Sequence, residues 1–312
     1  SATPKIAIII LYLNNYDALI ACLQSCQNIS YKNYEIILIE NGSRFTPDLR
    51  ANNGQMPFAS LTIIHNPENL GYARGNNIGI REALMIGADY ILLLNDDTVV
   101  SPDFLNILLD AGESNPDAGM LGPKIYYFDE PRKIWFAGAK FNSKSCALTT
   151  PGSDQLKGGT DLEPIESDYI TGCALLINKA VIEKIGLLDY RYFLYWEDVD
   201  WGLRAKKAGF KNLVIPSAHI WHKVSLSSGG MDSLIRVYHK TRSHLLFAKL
   251  HAPKSTPKLH IQFFRDIAWL LLKSKDVNRF QKALAFIVAI RDYHIGKTDK
   301  GPQWIWNGYD KS

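Results

Sequence analysis

Apolar residues fall in blocks along the first third of the chain rather than singly. Ile6 to Leu13, Tyr34 to Ile39, Leu61 to His65 and Tyr90 to Leu94 are short, strongly apolar runs rich in β-branched residues. Runs of this kind predict strands buried on both faces. Between them, Asp17 to Cys26 and Gly71 to Ile86 carry helical spacing. Strands alternating with helices predict right-handed crossovers and a mainly parallel α/β sheet flanked by helices. Such a sheet binds ligands beyond the carboxyl ends of its strands. That rule singles out Asn14-Asn15, Glu40-Asn41-Gly42-Ser43 and Asn95-Asp96-Asp97, three polar segments that each follow an apolar strand.

Further along, Asp129 to Asp168 is rich in Gly, Ser, Lys and Pro and reads as a hairpin plus a flexible loop near the site. Thr171 to Ile185 reads as a strand and a short helix, and Glu197 to Ala208 as an amphipathic helix closed by Gly209. His219 to His222 reads as a short strand. From Met231 the pattern is helical, broken at Pro253 to Pro257. The expected organisation is a catalytic α/β body over 1–230 and a helical region over 231–312.

Composition narrows the class. At 46% hydrophobic and 21% charged residues, the chain is neither disordered nor fibrous. A net charge of +4 suits an anionic ligand or a membrane surface without requiring either, and no nucleic-acid partner is expected. Cys22, Cys26, Cys146 and Cys173 lack paired zinc spacing, so buried thiols in a reducing, cytoplasmic setting are expected. No signal peptide is read at Ser1 to Lys5, and no apolar stretch reaches the ~20 residues that span a bilayer.

Two acidic clusters carry the candidate chemistry. Asp96 and Asp97 end a buried strand, where adjacent carboxylates are costly unless solvated, hydrogen-bonded or neutralised by a cation. Their hard oxygens suit Mg²⁺ or Mn²⁺, and such an ion can clamp a diphosphate. The same segment also reads as a turn before a helix near Ser101-Pro102-Asp103. Glu197, Asp198 and Asp200 open a helix, where the macrodipole favours acids. Asp200 has Arg204 four residues on, the spacing of a surface ion pair. Glu197 and Asp198 follow Tyr192, Phe193, Tyr195 and Trp196; an acid among aromatics has a raised pKa, which suits a base. In a regular strand His219 and Trp221 share one face and His222 takes the other. Gly71, Gly75 and Gly79 are four apart and do not make the dinucleotide fingerprint, and no P-loop is present. This small-residue face suits either close packing or a ligand.

In order, Glu40-Asn41-Gly42-Ser43, Asn66-Pro67-Glu68-Asn69-Leu70-Gly71, Asn95-Asp96-Asp97, Gly172-Cys173-Ala174, Trp196-Glu197-Asp198 and Trp221-His222 closely resemble the motifs of bacterial family-two glycosyltransferases. The likeness covers about residues 5 to 250 and is greatest to the rhamnosyl- and galactofuranosyltransferases of surface polysaccharide assembly. The resemblance implies a GT-A fold, an inverting mechanism, a nucleotide-diphosphate sugar donor, a glycan or polyprenyl-linked glycan acceptor, and a divalent metal, Mg²⁺ or Mn²⁺. It also implies a nucleotide-sugar half over about 1–100 and an acceptor half over about 101–230. Residue by residue, Glu40 stands for the acid that contacts the nucleoside, with Asn14, Asn41 and Asp96 in the donor-binding segments. Asn69 and Arg74 face the donor, Asp97 and His222 hold the metal, and Asp198 is the base, with Glu197 beside it. Asn95 is a departure: many members carry aspartate there, which leaves one carboxylate fewer for the metal.

A sugar-phosphate nucleotidylyltransferase shares such a sheet but needs a glycine-rich basic loop after the first strand, where this chain has Leu13-Asn14-Asn15-Tyr16-Asp17. A non-catalytic carbohydrate-binding protein is the other alternative. In the C-terminal region, Ile261 to Lys273 and Phe280 to Arg291 are apolar on a broad face and edged with basic residues. Wide apolar faces pack on each other, on the catalytic body or in a homo-oligomer. Basic edges suit peripheral contact with the inner face of the cell membrane.

Overall fold

The computed structural model describes residues 3–44, 49, 60–150, 163–224 and 233–307. The chain runs through β1 (Ile6–Tyr12), α1 (Tyr16–Gln27), β2 (Tyr34–Asn41), β3 (Leu61–Asn66), α2 (Gly71–Met85), β4 (Tyr90–Asn95), β5 (Thr98–Val100), α3 (Phe104–Ser114) and β6 (Ala118–Tyr127). It continues through β7 (Ile134–Phe136), β8 (Lys140–Asn142), β9 (Ala147–Thr149), β10 (Ile165–Ser167), β11 (Ala174–Asn178), α4 (Lys179–Ile185), α5 (Glu197–Lys207) and β12 (Lys211–His222). Helices α6 (Leu234–His251), α7 (Thr256–Leu272) and α8 (Arg279–His294) follow. Among the described residues one sheet holds ten strands, in the order β10-β12-β6-β11-β4-β1-β2-β3 with β5 and β7 beside β12 and β6.

The apolar runs become the centre of this sheet. β1 lies parallel between β2 and β4, and β2 pairs parallel with β3. Ile6 to Ile10, Ile36 to Ile39 and Ile91 to Leu94 are all buried, as strands covered on both faces require. Beyond β4 the sheet turns mixed, because β11 runs antiparallel to both β4 and β6. The glycine face of α2 serves packing on β1: a methyl group on Gly79 would sit 2.6 Å from Ile9 Cγ2, and one on Gly75 would sit 2.5 Å from Leu11 Cδ1. The hairpin expected between Asp129 and Asp168 is β8–β9; the stretch 151–162 lies outside the described residues.

The C-terminal helices are not an appendage. Phe247, Leu259, Phe263 and Ile290 share one core with Cys146, Tyr192 and Val199. Ile235, Tyr238 and Trp306 share another with Phe193. Packing therefore takes one side of α7 and α8 but leaves apolar residues outside. At the turn between them Leu272, Val277 and Phe280 are 81%, 95% and 62% exposed. Among the described residues no helix is long and apolar enough to cross a membrane.

Candidate active site

The strand-end rule converges on one cleft of about 400 Å³. Its lining includes Asn41, Asn69, Asp96, Asp97, Glu197, Asp198 and His222. The turn after β4 delivers the first acidic pair. Thr98 Oγ1 donates to the Asn95 carbonyl at 2.8 Å, which fixes the turn. Asp96 and Asp97 are buried, and Asp96 Oδ2 and both Asp97 carboxylate oxygens lack hydrogen bonds. Burial, reinforced by the Asp97 charge, pushes the Asp96 carboxyl well above its ordinary range.

His222 arrives from far along the chain for a reason visible in β12. A register shift between Ile215 and His219, spanning Pro216, resets the strand against β6. The last residues then pair with β5, with His222 opposite Thr98. Alternation is regular from there: His219 and Trp221 rings meet edge to face at 5.3 Å, and His222 turns to the buried side. His222 Nε2 comes within 3.0 Å of Asp97 Oδ1 without the alignment of a hydrogen bond. Burial works against a charged imidazole here, while Cys173 and the Asp97 carboxylate act to raise its pKa. Cys173 is itself pushed up by burial and so stays a neutral thiol, which leaves Asp97 as the partner that matters.

These residues fit a hard divalent cation. Unmatched buried carboxylate oxygens beside an imidazole are what such an ion satisfies, at the cost of the imidazole proton. Among the described residues no three His, Cys, Asp or Glu side chains form a complete cage. Mg²⁺-type sites commonly use one or two carboxylates and take the rest from phosphates and water.

The second acidic pair opens α5. Tyr195 and Trp196 both adopt left-handed backbone, φ 69° and 72°, a strained arrangement for aromatic residues. It starts α5 at the floor of the cleft. Asp198 Oδ2 accepts from Gly172 N at 3.0 Å and Oδ1 from Val199 N at 2.8 Å. Burial raises the Asp198 pKa, while these backbone donors oppose the rise. Glu197 lacks such partners on Oε2, and burial with the Asp198 charge pushes it well above its ordinary range. The pair is therefore asymmetric, with Glu197 the better proton holder and Asp198 the readier anion. The surface ion pair expected of Asp200 is corrected. Asp200 is 2% exposed, takes Arg204 Nε at 2.8 Å, and lies 2.7 Å from His251 Nε2. The approach of α6, which carries His251, buries it.

Other candidates shape the cleft, and of these Asn41 and Asn69 also line it. Asn41 is a hub: its amide donates to Asn69 Oδ1 at 3.2 Å, and its Oδ1 accepts from Asn66 Nδ2 at 3.1 Å and Leu70 N at 3.2 Å. Asn41 and Asn69 thus shape the loop before α2 and also face the cleft. Glu40 is buried and accepts from Ser43 N, while Asn14 Oδ1 accepts from Arg44 N at 3.0 Å. Arg74 turns away from the cleft, donating to the Tyr190 carbonyl at 3.2 Å and to Thr298 Oγ1 at 3.1 Å. Arg236 and Lys240 on α6 and Trp306 also line the cleft. No local motif marks them, because only the tertiary fold brings α6 to the site.

An α/β sheet whose β1 and β4 ends open onto a cleft with two acidic pairs is the architecture of GT-A glycosyltransferases. Residues 7–186 match the model of glycosyl transferase family 2, and the chain belongs to that family. It is 26% identical over 241 residues to an N-acetylglucosaminyl-diphospho-decaprenol L-rhamnosyltransferase of Mycobacterium tuberculosis, covering 70% of this chain and 75% of the relative. It is 25% identical over 259 residues to the dTDP-rhamnosyl transferase RfbF of Shigella flexneri, covering 79% and 81%. In fold it resembles GalNAc-T7 with UDP, GalNAc and Mn²⁺, at TM-score 0.63 and 15% identity over 99% of this chain and 58% of that one. It also resembles the mannosyltransferase PcManGT of Pyrobaculum calidifontis in complex with GDP-Man and Mn²⁺, at TM-score 0.55 and 12% identity over 100% and 81%.

Proposed function

We propose that this glycosyltransferase inverts the anomeric centre of a rhamnosyl group as it passes from dTDP-rhamnose to a hydroxyl of a lipid-linked glycan. The observation that carries the reading is one cleft lined by two acidic pairs of different character. In the Asp96-Asp97 pair, Asp96 Oδ2 and both Asp97 oxygens are unmatched and His222 lies beside Asp97; in the Glu197-Asp198 pair, Asp198 is steadied by two backbone donors. In this reading Asp198 accepts the acceptor hydroxyl proton as that oxygen attacks the anomeric carbon. The bond from that carbon to the diphosphate oxygen breaks on the opposite face, so configuration inverts. Asp97 and His222, with Asp96 behind them, would hold Mg²⁺ or Mn²⁺, and the bound ion supplies positive charge for the leaving diphosphate. Asn41 and Asn69 shape the donor end of the cleft. Names of the two rhamnosyltransferase relatives support the sugar, and the mycobacterial name supports a lipid diphosphate acceptor.

Calorimetric titration tests the donor. dTDP-rhamnose is expected to bind saturably with Mn²⁺ present, and more tightly than UDP-glucose or UDP-galactose. Saturation by a UDP-sugar but not by dTDP-rhamnose would reverse that order.

The same reading places the protein at the inner membrane face, where a lipid-linked acceptor resides. Exposed Leu272, Val277 and Phe280 form an apolar tip on the α7–α8 hairpin, and Lys273, Lys275 and Arg279 stand within it. Apolar tips ringed by cations suit an anionic bilayer surface. Co-sedimentation with vesicles containing phosphatidylglycerol is expected, weaker at high salt and lost in Leu272→Ser/Phe280→Ser. A protein that stays in the supernatant at low salt with anionic vesicles contradicts the membrane contact.

A further inference from the structure

The family match ends at residue 186, yet part of the cleft wall comes from α6, well past it. Arg236 and Lys240 stand one helical turn apart there, with Arg236 Cζ 5.8 Å and Lys240 Nζ 5.9 Å from the centre of the Tyr195 ring. Among the described residues neither head group is within salt-bridge distance of a carboxylate. Like charges at this spacing repel and weaken a helix, so their pairing on a cleft wall calls for an anion between them. An arginine fork beside a lysine suits phosphate oxygens, the first by two aligned donors and the second by point charge.

We propose that Arg236 and Lys240 form a phosphate subsite that holds the acceptor, a lipid diphosphate, against the base. This rests on the reading of Asp198 as the base for glycosyl transfer. Two diphosphates enter such a reaction, and position separates them. The donor diphosphate belongs at the strand-end acids Asp96 and Asp97. The α6 cations instead flank Tyr195, three residues before Asp198 in the segment that leads into α5. Electrostatics agrees: the surroundings of its tip and Arg236 lower the Lys240 amine, and Asp198 acts in the opposite sense. A phosphate gripped there would fix the acceptor's first sugar at the distance its attacking hydroxyl needs, so the subsite sets acceptor class without touching the reacting atoms.

The test uses the full chain, with EDTA in the geranyl diphosphate titrations to remove cation-mediated diphosphate binding and Mn²⁺ in the dTDP titrations to complete the donor site. Geranyl diphosphate and dTDP are titrated against wild type, Arg236→Gln/Lys240→Gln and Arg236→Lys/Lys240→Arg. Loss of two charge-assisted contacts is expected to weaken geranyl diphosphate by about tenfold or more in the glutamine variant. The charge-keeping variant should stay near wild type, and dTDP should change less than about twofold in either. If the double glutamine variant does not melt cooperatively, the exposed Lys240→Gln alone carries the comparison, with the same ordering expected. Equal losses for dTDP and geranyl diphosphate would assign the pair to the donor and overturn the proposal. So would unchanged geranyl diphosphate binding, or none in wild type. Failure of the glycosyl-transfer reading itself shows differently, as no nucleotide sugar binding at any metal concentration.

Discussion

Asp198→Asn is expected to lower turnover by about 10²–10⁴-fold, the usual cost of losing a general base, while donor affinity barely moves. Asparagine keeps the side-chain size, but its single amide oxygen can accept from only one of Gly172 N and Val199 N, so a small part of the loss comes from positioning and the larger part from proton transfer. The pH–rate profile carries a second signature. Burial raises the Asp198 pKa, so the group gains its proton at a higher pH than an ordinary carboxylate. Only the ionised form accepts a proton, so activity should rise with pH through that raised value. The acid limb should therefore lie above the ordinary carboxylate range and vanish in the variant. Because Glu197 and Asp198 titrate together, the limb belongs to the pair. Near-normal turnover in Asp198→Asn would move the role to Glu197.

Chelation is the second large effect. A bound cation contributes several kcal/mol of charge stabilisation in reactions of this class, so EDTA should depress transfer by about 10²–10³-fold or more. Mg²⁺ or Mn²⁺ should restore it. Asp97→Ala should resist restoration at any metal concentration, whereas His222→Ala should need more metal for half-maximal rate. That difference follows from geometry: Asp97 presents two unmatched oxygens, His222 one nitrogen 3.0 Å away. Full activity in EDTA would mean that the leaving diphosphate is stabilised by protein cations alone.

Much of this architecture was legible because the β1, β2 and β4 runs are apolar throughout and end in polar residues. Period and strand-end logic suffice for such segments, and they located Asn41, Asp96 and Asp97. The second half was harder. Ala118–Tyr127 makes a ten-residue strand, yet Gly119, Gly122 and Pro123 interrupt its apolar pattern. The glycines are there because Phe210 and Ile170 press on that strand, a tertiary demand with no local signature. Asp200 looked like a surface acid because Arg204 is its neighbour on the helix. Only α6, fifty residues on, closes over it. Arg74 sits in a segment that faces the donor by analogy, but Tyr190 and Thr298 hold its head group elsewhere. Sequence distance hid the α6 cations for the same reason.

The way Asp198 is held has a consequence for how the enzyme can be altered. Two of its anchors are main-chain amides, the Thr171 side chain is a third, and Gly172, which supplies one amide, is braced through its carbonyl by Tyr72 Oη at 2.6 Å. Other side chains around this part of the cleft can therefore be exchanged without unseating Asp198, provided that Tyr72, Thr171 and the Gly172 backbone remain. Such a site tolerates drift in its walls while its reactive group stays put. Libraries that randomise the remaining cleft lining, with the two acidic pairs, His222, Thr171, Gly172 and Tyr72 kept, should retain catalysis and change what is glycosylated.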